Sequence, residues 1–165
     1  MLARLKRVYS FHFRDERRER LFLTSVGFAV TVAIVRLLTL MIRMGVGPVH
    51  NVVAGNGLHI HHLVWGILLL LVVGFVWMLE LAVDSSWVAG LTAIAFGVGA
   101  ALALDEFALW LNLSDVYWQR QGRESLEALA IFGGLLAAGL FGWPFLRDAA
   151  LVLTRHKPAA SGAYE

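Results

Sequence analysis

Residues 57–66, Gly57-Leu58-His59-Ile60-His61-His62-Leu63-Val64-Trp65-Gly66, decide how this chain is read. Three of its six histidines fall here within four residues. They stand where a polar, glycine-bearing segment gives way to a run of roughly twenty apolar residues, the length that crosses a bilayer. Leu63–Val83 is therefore expected to be a membrane span, with His59–His62 as its first turn or the approach to it.

Forward from that run, Asp84-Ser85-Ser86 forms a tight polar turn, and Ser85 or Ser86 suits the cap of a following helix. So short a turn makes the next apolar run, Trp87–Leu104, an antiparallel neighbour. That run ends in Leu104-Asp105-Glu106-Phe107, so the acid pair and the histidines fall at the same end and at similar depth. The apolar pattern resumes over 107–111, and the helix is expected to continue past the acids. Leu113–Glu124 is polar and aromatic, with Tyr117 and Trp118 suited to headgroup level. Ser125–Leu146 is a further span, and Trp143-Pro144 marks its inner boundary.

Backward from the histidines, Met44–Leu58 holds Pro48 and several glycines, which argue against a continuing helix. It is either a cap over the site or a plain connection. Leu21–Ile42 is the first span. It carries Arg36 about a turn and a half before its outer end, a depth at which a charge faces protein or water, or snorkels.

Composition agrees with this reading. Of 165 residues, 59% are hydrophobic and only 16% charged, more apolar surface than a soluble domain of this size could hide. The absence of cysteine removes disulfides, thiolate ligands, iron–sulfur clusters and thiol catalysis. No early apolar core with a cleavage site is present, so the first span is expected to act as an uncleaved signal.

Orientation follows from lysine and arginine. Seven basic residues lie in 1–20 (Arg4, Lys6, Arg7, Arg14, Arg17, Arg18, Arg20) and three in the tail (Arg147, Arg155, Lys157). The connections at the other end carry three, Arg43, Arg120 and Arg123. This bias places both termini in the cytoplasm and the histidines and acids outside. The expected fold is an all-α integral membrane bundle of four transmembrane helices in the inner (plasma) membrane. A basic segment (1–20) precedes the transmembrane domain (21–146), and a short tail (147–165) follows it. The basic flank serves topology, and no nucleic-acid partner is expected.

The candidate site is His59, His61, His62, Asp105 and Glu106. In a helix His59 and His62 share a face, whereas in an extended approach His59 and His61 share a side. Neutral imidazoles with carboxylates from a second helix suit a divalent transition metal such as zinc or iron. Adjacent acids do not share one helix face, so one would ligate while the other orients an imidazole. Arg36, Asp115 and His50 are the reserve ligands or counter-ions. A second reading of the same residues is a polar network in which Asp105 or Glu106 pairs with Arg36 and no metal is held. A third is an interfacial histidine cluster with no joint site. No nucleophile turn, phosphate loop or dinucleotide fingerprint is present.

The blocks Gly57–Gly66, 104–111 and 115–118 resemble a family of small uncharacterised multi-pass membrane proteins common in actinobacteria. The resemblance spans the second to fourth runs and implies a multi-helix inner-membrane protein, with no activity attached. The histidine run is also similar to the boxes of membrane desaturases and hydroxylases, which are di-iron enzymes. It departs from them in its single intervening residue and in lacking further boxes. Two functions follow from these residues. One is a site at the outer face, metal-binding and acting on a membrane-soluble substrate. The other is a non-catalytic membrane partner or assembly subunit, or a homo-oligomer, with a structural His/Asp/Glu/Arg network.

Overall fold

The computed structural model describes residues 13–46, 48, 61–79, 85–114, 117–118 and 120–155, with side chains up to 141 except that of 121. All regular structure among them is helical: α1 (Glu16–Met44), α2 (His62–Met78), α3 (Ser86–Asp105), α4 (Phe107–Asn112), a 3-10 turn (Arg120–Gly122) and α5 (Arg123–Arg155). α1, α3 and the 123–141 part of α5 are long and apolar enough to cross a membrane. α2 is apolar but has only 17 residues, and the inner end of the expected span Leu63–Val83 lies outside the described residues.

Helix ends are set by local chemistry. The Asp15 carboxylate accepts from the Arg17 amide and caps α1. Gly45, at φ +64°, closes the other end. Its amide reaches the Ile42 carbonyl and the Val46 amide reaches that of Met41, the paired closure that a left-handed residue permits. Of the two serines expected to cap α3, it is Ser85 whose hydroxyl accepts from the Val88 amide. α5 does not stop at Trp143-Pro144 but continues to Arg155. A helical proline forfeits one backbone hydrogen bond, and a long helix retains the rest.

Helix α3 is the organising element. α1, α2 and α5 all pack on it, while α1 and α2 make no direct packing contact. Leu23 lies beside Gly90, the Thr24 hydroxyl donates to the Ala93 carbonyl at 3.0 Å, and Arg36 meets Asp105, so α1 and α3 run parallel. Trp77 donates to Thr92, Leu70 meets Gly99 and His62 meets Asp105, so α2 runs antiparallel to α3. Gly139 beside Leu21 and Gly133 beside Phe28 make α5 antiparallel to α1. The directions therefore alternate along the chain.

Close helix contacts depend on the absence of a side chain at Gly27, Gly66 and Gly97. A Cβ at Gly97 would sit against the Thr24 carbonyl and 2.8 Å from the Phe28 nitrogen. One at Gly66 would lie 2.7 Å from the Ala103 nitrogen. In a bilayer, where burying apolar surface brings helices little, such close approach supplies association through dispersion contacts. Phe28, Ala100, Ala101, Leu129 and Leu136 form the small core where α1, α3 and α5 meet.

Candidate functional site

The polar site forms where α3 ends. The helix breaks at Glu106 (φ −107°, ψ +22°), which terminates α3 and precedes α4. The continuation past the acids is thus a separate short helix. The break frees the Ala108 amide, which donates to the buried hydroxyl of Ser125 at 3.0 Å and ties α4 to α5.

Asp105 is completely buried and Glu106 is 4% exposed. Such charges need partners, because leaving water costs each ion several kcal/mol. Arg36 Nε stands 2.5 Å from Asp105 Oδ1. This is a contact of charge rather than an aligned hydrogen bond: neither atom, nor Arg36 Nη2, takes a hydrogen bond among the described residues. Asp105 Oδ2 accepts from the Tyr117 hydroxyl at 2.7 Å and lies 3.2 Å from His62 Nε2. Burial pushes the Tyr117 phenol above its ordinary range, with the charge of Asp105 adding to the effect, so the hydroxyl keeps its proton and donates. Thr39, one turn after Arg36, shares a 3.2 Å hydrogen bond with the same hydroxyl.

Glu106 turns to α2. Its Oε1 lies 2.7 Å from His61 Nδ1, and its Oε2 accepts from the Leu63 amide at 2.8 Å. The cap residue of α2 is His61, whose side chain caps nothing on its own helix. Glu106 supplies that cap from another helix, and a carboxylate at a helix N-terminus is also favoured by the macrodipole. His62 lies between the acids, with Nδ1 3.5 Å from Glu106 Oε2. His61 is extended and His62 begins the helix, so these adjacent histidines reach two adjacent acids.

The structure thus gathers Arg36, His61, His62, Asp105 and Glu106. His59, His50 and Asp115 lie outside the described residues. Among the described residues, no three or more His, Asp or Glu side chains are grouped so as to hold a metal ion. Sequence reasoning missed three members: Tyr117, Thr39 and the Leu63 amide. By sequence Tyr117 suits the headgroup belt, and nothing in its neighbourhood signals a fold back onto Asp105. The Leu63 amide carries no side-chain signal at all.

The segment after α4 is fastened to α1 by stacking as well. The Arg36 guanidinium lies 5.1 Å from the Tyr117 ring centre, and that of Arg43 lies 4.3 Å from the Trp118 ring centre. Arg36, Thr39 and Arg43 follow one another at spacings of three and four, on one face of α1.

Compared with known proteins, the chain matches no family model, no curated protein and no solved structure.

Proposed function

We propose that this chain is a four-span inner-membrane protein with both termini cytoplasmic, and that it serves as a non-catalytic membrane partner or assembly subunit. Its outer end is held by a closed ionic network. The observation that carries this reading is the state of the acid pair. Every carboxylate oxygen already has a protein partner: Arg36 for Asp105 Oδ1, Tyr117 and His62 for Oδ2, His61 for Glu106 Oε1 and the Leu63 amide for Oε2. A metal would have to displace these contacts to reach the same oxygens. Three helices with spanning length and composition, and alternating helix directions, support the four-span arrangement. The basic flanks support its orientation.

Elemental analysis of gently purified protein, made without chelator, tests the network reading. No stoichiometric transition metal is expected. About one zinc or iron per chain, lost on replacing His59 and His62 by alanine, would instead favour a metal centre in the histidine cluster. Orientation is tested separately with a cysteine at Asn56, which should label only from outside.

A further inference from the structure

Arg36 and Arg43 sit on one face of α1 and are treated alike by the chain, each meeting an aromatic ring from the segment after α4. They differ in one respect. Arg36, the deeper, has the buried carboxylate of Asp105. Arg43, in the last turn of α1, is exposed, and no carboxylate pairs with it among the described residues. We propose that Arg43, seated on Trp118, binds the phosphate of an anionic phospholipid in the leaflet at the network end.

Stacking accounts for one face of the guanidinium and leaves its edge available. That edge is a planar fork of N–H donors, which matches the paired oxygens of a phosphate. The ring beneath restricts the side chain beforehand, so less freedom is lost when the anion arrives. Trp118 is half exposed, as befits a ring at headgroup depth. The segment that supplies it continues to Arg120 and Arg123, both exposed. The neighbouring Glu124 is engaged by the Asn112 side-chain amide at 2.8 Å. The carbonyls of Met41 and Ile42 beside Arg43 are taken up by the helix closure, which limits their repulsion of an anion. With this end outside, as proposed above, Arg43, Arg120 and Arg123 stand on the side where topology does not call for basic residues. Lipid binding gives them a use there.

The test is native mass spectrometry of the full chain in mild detergent, titrated with phosphatidylglycerol or with phosphatidylcholine of the same acyl chains. Phosphatidylglycerol should bind at the lower concentration. Arg43→Gln should weaken it about fivefold, the worth of one arginine near an anionic surface, and leave phosphatidylcholine unchanged. Trp118→Leu should weaken it in the same sense with the arginine still present, and this variant stands in if Arg43→Gln fails to fold. Thermal melts confirm that the variants compared are folded. Equal binding of the two lipids, or phosphatidylglycerol binding unchanged in both variants, would overturn the proposal. Displacement of the lipid by millimolar inorganic phosphate would also overturn it, pointing to a free-anion site. The assay reads lipid and not metal, so its outcome is independent of whether the network is closed.

Discussion

Midway along the bundle the helices meet backbone against backbone, and at the network end they meet through ions. In the middle, Gly97 lies against Thr24 and Phe28, and Gly27 against Ile94. These contacts are unspecific in chemistry and demanding in shape. At the network end the helices are joined by Arg36–Asp105, His62–Asp105 and His61–Glu106, with Tyr117 donating to Asp105. Those contacts are demanding in chemistry, since each buried charge needs its partner. The difference teaches a division of labour. Close packing makes association favourable in a solvent as apolar as the helices themselves. The ions fix register, because a one-residue slip of α2 along α3 would move His61 and His62 off the acids.

The comparison can be broken most forcefully at Arg36. Arg36→Leu should destabilise the protein by about 3–5 kcal/mol, because it leaves the carboxylate of Asp105 buried without its cation. A thermal melt in detergent measures this, and a melt equal to wild type would show that Arg36 does not hold the network end together. Second in size is the middle of the bundle. Gly97→Val should cost about 1–3 kcal/mol or more, because the atoms it meets are backbone and cannot rotate away. Retained stability there would mean that α1 and α3 can separate without loss.

Tyr117→Phe sharpens the comparison. It removes one donor to Asp105 while His62 and Arg36 remain, so a loss of about 1 kcal/mol is expected. Hydrogen exchange of the α3 C-terminus should rise with it, and unchanged exchange would place Tyr117 outside the network's energetics. The smallest effect belongs to Gly74, where an added Cβ meets nothing within 4 Å. Gly74→Ala should be neutral or stabilise by up to about 1 kcal/mol through reduced backbone freedom. A destabilisation like that of Gly97→Val would indicate that this face of α2 is covered by another chain.

Much was legible in residues 57–66 and 104–107 alone. The short polar stretch Asp84-Ser85-Ser86 implies that the apolar runs on either side of it are antiparallel, and that places histidines and acids at one end whatever the packing details. The depth of Arg36 on its own run likewise pointed to an acid across the bundle, which the structure supplies as Asp105. These are consequences of helix rise and chain direction, which depend on counting residues.

Other features depend on where chains cross. Adjacent side chains on an unbroken helix diverge by about 100°, so a face-by-face reading could not bring Asp105 and Glu106 both to α2. The break at Glu106 and the capping of α2 by its carboxylate are properties of two helices meeting. Tyr117 joins the network only because the segment after α4 folds back over Arg36 and Thr39. Spacing along one strand of sequence sets which residues share an end and a depth. Which of them touch is decided by packing, because a buried charge or an orphan amide takes whichever partner the neighbouring backbone brings within reach.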